Sequence, residues 1–227
     1  MKKTILFDLD GTLTDSGEGI INCATLALEH FGLPVPDRKT MRVFVGPPLH
    51  ETFVKFGVPE DKAEEAVQVY RSRYVTVGKF ENVPYPGISD LLETLKRQGH
   101  RLLVATSKPE ALSIEIMEHF DIAKYFDRIC GASLDRSRSS KEDVIAYLLE
   151  EYRACENMIM VGDTAFDVMC SRSWHSHNWC CLGLRLRRRY AKSRRGRHRA
   201  KCFGAFGILK QIKGYRPRIE PWAVLLA

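Results

Sequence analysis

Acidic residues all but disappear from the end of this 227-residue chain: from Cys170 onward only Glu220 carries a carboxylate. Tryptophan is missing from the first 173 positions, since Trp174, Trp179 and Trp222 all fall in that final segment. No apolar run is long enough to cross a bilayer, which excludes a helix-spanning membrane protein and a membrane partner. Met1-Lys2-Lys3 is followed by only a short stretch before Asp8. That is too brief for the apolar core of a signal peptide, so cytoplasmic residence is expected. The seven cysteines are odd in number and irregular in spacing. They suit a reducing compartment rather than a disulfide framework. There is no internal repeat.

What is present falls into two unlike parts. Residues 1–169 hold 20 Lys+Arg against 27 Asp+Glu, a net of −7, and the remainder holds 15 against one, a net of +14. The overall +7 therefore describes neither part. The length suits one domain with a smaller insert.

Near the N-terminus an apolar run, Thr4-Ile5-Leu6-Phe7, has the length and β-branched character of a buried strand. It leads into Asp8-Leu9-Asp10-Gly11-Thr12-Leu13-Thr14. Residues 16–80 then read as an all-helical insert, with helices over 20–31, from Asp37 to about 45, over 49–56 and over 61–74. From Pro86-Gly87 the pattern alternates: helix 88–98, strand 101–105, a helix opened by Lys108-Pro109, strand 128–130, helix 141–152 and strand 158–161. Such alternation implies βαβ units and a parallel sheet. The expected organisation is an α/β core over 1–15 and 81–169, a helical insert over 16–80, and a basic tail over 170–227.

Parallel strands bring their C-terminal ends to one edge, where open α/β sheets hold ligands. Asp8 and Asp10 follow the first strand, and Asp163 and Asp167 follow the last in Gly162-Asp163-Thr164-Ala165-Phe166-Asp167. Clustered carboxylates repel one another unless a cation sits among them. Oxygen-only ligation suits Mg²⁺, which takes one or two carboxylates and keeps waters or substrate phosphate. Thr106-Ser107, after another strand, offers hydroxyl and N–H donors to a phosphate. Lys141 begins a helix, where a cation opposes the macrodipole, and that mild misfit points to a purpose elsewhere.

The order D-x-D-G-T, T-S-K-P, Lys141, G-D-x-x-x-D resembles motifs I to IV of the haloacid-dehalogenase-like (HAD) phosphohydrolases, over residues 1 to about 169. The resemblance implies a Rossmann-like three-layer parallel sheet with an inserted helical C1 cap. By carry-over, Asp8 is the nucleophile that forms an aspartyl-phosphate and Asp10 the general acid/base. Thr106 binds the transferring phosphoryl group and Lys141 neutralises its charge. Asp8, the Asp10 carbonyl and Asp163 hold Mg²⁺, with Asp167 supporting its waters. Thr12, Ser107, Arg42, His50 and Arg138 are candidate substrate contacts. V-G-P-P-L-H-E-T-F and S-L-D-R-S-R-S-S-K resemble a bacterial branch of phosphoglycolate phosphatases and 5′-nucleotidases. The implied activity is hydrolysis of a small phosphorylated metabolite by a monomer or homodimer. A phosphomutase of the same fold, nucleic-acid binding by the basic tail and an inactive frameshifted remnant are the alternatives.

The final segment gathers Arg185, Arg187, Arg188, Arg189, Arg194, Arg195, Arg197 and Arg199 with Lys192 and Lys201. Taken alone it reads as a polyanion-binding tail. Its Cys and His residues match no standard zinc spacing. Reading frame offers a more economical account. Shifted by one nucleotide, Trp174-His175 (TGG-CAY) and Trp179-Cys180 (TGG-TGY) each force glycine, and the intervening codons permit a strand. With the charge jump, this points to a frameshift near Met169 and against nucleic-acid binding. The expectation is a tail with little regular structure and no evident final strand.

Overall fold

The computed structural model describes residues 2–133, 135, 137–152, 158–163 and 180–183. The chain divides into two compact units, one of residues 14–83 and one of residues 1–13 with the chain from 84 onward.

The second unit is built on a five-stranded parallel sheet. Its strands are β1 (Thr4–Phe7), β4 (Arg101–Pro109), β5 (Arg128–Ala132), β6 (Met158–Gly162) and β7 (Cys180–Gly183), ordered β5-β4-β1-β6-β7. Helices α5 (Ile88–Arg97), α6 (Glu110–His119) and α7 (Lys141–Glu151) complete it. Side chains alternate across a strand, so each face of β1 needs its own cover. Ile5 and Phe7 pack with Leu92 and Leu95 of α5 and Met117 of α6. Leu6 faces the other way, onto Val144, Ile145 and Leu148 of α7. Both faces are therefore covered, as a parallel sheet requires, and the fold is a three-layer α/β sandwich. Leu6, Leu102 and Leu103 are fully buried. Each contributes about 1.5–3 kcal/mol of transfer free energy.

From β1 the chain builds β4 and β5 on one side, then returns to build β6 and β7 on the other. The strand order thus reverses at β1 and β6, and the crevice beyond their C-terminal ends is where such sheets hold ligands.

The unit of residues 14–83 is helical, with α1 (Gly17–His30), α2 (Arg38–Met41), α3 (Leu49–Lys55) and α4 (Ala63–Arg73). Asp37 caps α2, its carboxylate accepting from the Lys39 and Thr40 N–H groups at 2.9 and 3.0 Å. A π-helical turn, Tyr74–Gly78, follows α4. Short strands β2 (Thr14–Asp15) and β3 (Val83–Pro84) pair with each other. None of these last three elements shows in the periodicity. Among the described residues no helix is long and apolar enough to cross a membrane.

Two expectations change. Lys108-Pro109 does not open a helix: β4 continues to Pro109, with a shift in its register against β5 between Ala105 and Pro109, and α6 starts at Glu110. A final strand also exists, because Cys180–Gly183 pairs in register with Ile159–Gly162 of β6. The run Cys180-Cys181-Leu182-Gly183 is apolar enough for a sheet edge although strongly basic sequence follows it. Residues 164–179 and 184–227, including the basic cluster and the position of the expected frameshift, lie outside the described residues.

Candidate active site

Asp8 sits one residue beyond β1, still in register with β6 through its N–H to the Val161 carbonyl at 2.9 Å. Its side chain is held on both oxygens: Oδ1 accepts from the Leu9 N–H at 2.8 Å, and Lys141 Nζ lies 2.7 Å from Oδ2. These side chains are only 8% and 4% exposed. The α7 terminus explains how Lys141 is delivered. Ser140 and Asp143 form a capping box, Ser140 Oγ accepting from the Asp143 N–H at 3.1 Å and Asp143 Oδ2 from the Ser140 N–H at 2.9 Å. Hydrogen bonds from the Ser140 N–H and hydroxyl hold the Asp143 carboxyl below the usual range. The acid in this first turn offsets the dipole that Lys141 opposes.

Gly11 turns the chain after Asp10 at φ +80°, in the left-handed region. It also makes room: a Cβ there would lie 2.5 Å from Asp163 Oδ2. The buried Asp163 carboxylate thus rests against the backbone of the Asp8–Thr12 loop. Thr12 is buried as well, and its Oγ1 has no hydrogen-bond partner among the described residues.

Asp10 has a partner that the motif reading passed over. Lys108 Nζ lies 2.8 Å from Asp10 Oδ1, with side-chain exposures of 8% and 17%. Thr106 is buried two residues earlier, and its Oγ1 accepts from the Lys108 N–H at 3.3 Å. Ser107 between them is exposed. The site therefore assembles three carboxylates (Asp8, Asp10, Asp163) with two ammonium groups (Lys108, Lys141).

Arg138, Arg42 and His50 are the remaining candidates among the described residues. Arg138 is held by Glu110, its Nη2 3.1 Å from Oε2, and its guanidinium lies over the Tyr147 ring at 4.3 Å. Glu110 Oε2 also accepts from the Gly131 N–H at 3.2 Å. The loop before α7 closes on Arg138 through its N–H to Ser133 Oγ at 3.0 Å and its carbonyl to the Ser133 N–H at 2.9 Å. Arg138 thus ties the loop carrying Lys141 to the start of α6. Arg42 and His50 belong to the helical unit: Arg42 pairs with Asp15 at 3.1 Å, and His50 is half-buried in α3. Asp167 lies outside the described residues. Cys130 offers no rival nucleophile, because burial, with the Glu110 charge adding to it, pushes its thiol up to about 11.

The haloacid dehalogenase-like hydrolase profile covers residues 5–176. The chain belongs to that family. It is 47% identical over 165 residues to the tyrosine-protein kinase PtkA of Mycobacterium tuberculosis, covering 72% of this chain and 56% of PtkA. The chain thus spans little more than half the length of that curated relative. A 5′-nucleotidase of Pseudomonas aeruginosa is 44% identical over 167 residues, 73% of this chain and 76% of the relative. Among solved structures, a predicted phosphatase from Clostridium acetobutylicum superposes with a TM-score of 0.72 at 42% identity, over 81% of this chain and 84% of that one.

The oxygen-only donors of this HAD site fit Mg²⁺. Among the described residues no group of three His, Cys, Asp or Glu side chains is placed to hold a metal ion. Mg²⁺ does not need one, since it is commonly held by one or two carboxylates plus waters and phosphate. Asp8 and the buried Asp163, whose carboxylate rests against the Gly11 turn, supply such a partial set.

Proposed function

We propose that this chain is a Mg²⁺-dependent phosphatase of small phosphomonoesters, with phosphoglycolate or a nucleoside 5′-monophosphate as substrate. The observation that carries this reading is the Asp8 carboxylate. It is buried at the switch point, aligned by the Leu9 N–H, and paired with Lys141 at 2.7 Å.

Asp8 attacks phosphorus, forming an aspartyl-phosphate as the bond to the ester oxygen breaks. Asp10 gives its proton to that oxygen, and the alcohol leaves. Water then attacks the phosphoryl group while Asp10 takes a proton from it. The Asp8–phosphorus bond breaks, inorganic phosphate departs, and both aspartates return to their starting states. Thr106 and the N–H groups near it face the transferring oxygens, and Lys141 offsets their negative charge. Mg²⁺, held by Asp8, Asp163 and the Asp10 carbonyl, would offset carboxylate repulsion and the charge of the phosphoryl group. The unit of residues 14–83 acts as the cap that excludes water, and Arg42 and His50 belong to its specificity surface. Arg138 is a structural tie of the lysine-bearing loop rather than a substrate contact.

The test is phosphate release from phosphoglycolate and nucleoside monophosphates, with Mg²⁺ and with chelator, beside Asp8→Asn. Release that needs both Mg²⁺ and Asp8 is expected. Undiminished release by the Asp8→Asn variant would overturn the reading.

A further inference from the structure

We infer that Lys108 is a positioning residue for Asp10, a role that rests on the phosphatase reading above. The side chain is almost fully buried and sits 2.8 Å from Asp10 Oδ1. Its backbone is fixed independently. The register shift between Ala105 and Pro109 lies at this strand end, where bulges commonly re-aim a side chain. The Lys108 N–H is tied to Thr106 Oγ1. On the neighbouring strand, a Cβ at Gly131 would lie 2.4 Å from the Lys108 carbonyl, so the two backbones approach as closely as glycine allows.

Stability does not explain this placement. A buried ion pair costs desolvation of two charges and often breaks even against apolar residues. Lys141 already pairs with Asp8, so the second lysine has a different task. By holding Oδ1, Lys108 fixes the plane of the Asp10 carboxyl and turns Oδ2 toward the ester oxygen. In the first step Oδ2, which takes up a proton when substrate binds, passes it to that oxygen as the ester bond breaks and the Asp8–phosphorus bond forms. A freely rotating carboxyl would spend little time in that geometry. Lys108 therefore matters in proportion to the need of the leaving group for a proton.

That proportion supplies the test. kcat/KM reports the steps up to enzyme phosphorylation, so it isolates proton donation from the later hydrolysis. It is measured for Lys108→Met and Lys108→Arg with an alkyl phosphomonoester and with p-nitrophenyl phosphate, whose phenolate leaves without a proton. For Lys108→Met we expect a loss of about 10–100-fold on the alkyl ester, within the range of general acid catalysis. On the aryl ester the loss should stay within a few-fold. Lys108→Arg should recover most of the alkyl activity. Thermal melts establish folding, and Lys108→Gln carries the same comparison if the methionine variant does not fold. Equal losses on both esters, or no loss on either, would overturn the role. No turnover of either ester by the unaltered chain would remove the phosphatase reading and this role together.

Discussion

In the α/β unit Lys141 meets Asp8 with side chains 4% and 8% exposed, whereas in the helical unit Lys62 meets Glu65 at 52% and 46%. The contact chemistry is the same, an ammonium within about 3 Å of a carboxylate. The surroundings differ. Water and salt screen the exposed pair, and such pairs contribute little. The buried pair is barely screened, so each partner depends on the other. Between them stands Arg73–Glu81, at 27% exposure on both sides, with the Arg73 Nη1 and Nη2 groups 2.6 and 2.7 Å from the Glu81 oxygens. The Lys141–Asp8 and Lys108–Asp10 pairs are buried where the proposed chemistry needs charge, whereas the Lys62–Glu65 pair stays near solvent.

The largest consequence is at Lys141. Lys141→Met leaves Asp8 buried without its counter-charge, beside Asp163. Unfolding in urea should show a loss of about 3–5 kcal/mol. Asp8→Asn in the same background should recover part of it. A loss as small as that of a surface pair would break the comparison.

Next comes the tie behind the site. Arg138→Met removes the charged hydrogen bond to Glu110 and the guanidinium over Tyr147. The expected cost is about 1–3 kcal/mol. Because the loop bearing Lys141 loses its anchor, kcat should fall more than KM rises. A change in KM alone would return Arg138 to substrate binding.

The intermediate pair sharpens the comparison through pH. Hydrogen bonds from Arg73 hold the Glu81 carboxyl below the usual carboxylate range. A depressed carboxyl contributes stability that is fully present above the unfolded value, about 4.3 for glutamate. That contribution is lost as pH falls through the folded value. Wild type should therefore exceed Arg73→Met in urea midpoint at neutral pH, and the gap should narrow in acid. A gap unchanged by acid would detach it from Glu81.

The smallest effect belongs to the exposed pair. Lys62→Met should leave the melting temperature within experimental scatter, and a clear drop would show that exposure is a poor guide here.

Much of this was legible in the residues because the signals were local. Strands β1, β4, β5 and β6 and the seven α-helices among the described residues follow from periodicity and chain breakers, and Asp8, Asp163 and Lys141 follow from strand ends and an ill-placed cation. Lys108 was not legible. The Lys-Pro pair reads as a helix start, whereas a register shift, which depends on the neighbouring strand, keeps it in β4 and aims it at Asp10. The tie of Arg138 to Glu110 was not legible for a similar reason: the two lie 28 residues apart, and loop arginines look alike until folded. Strand β7 hid in basic sequence because four residues carry too little pattern, and only the edge of β6 makes them a strand.

The central claim is that Asp8 is the nucleophile. Acid-quenching the chain during turnover with Mg²⁺, digesting it and weighing the peptides tests this directly. The account predicts one phosphoryl group on the peptide containing Asp8, on that residue by fragmentation and absent from Asp8→Asn. Rapid turnover with the phosphoryl group on another residue would contradict it.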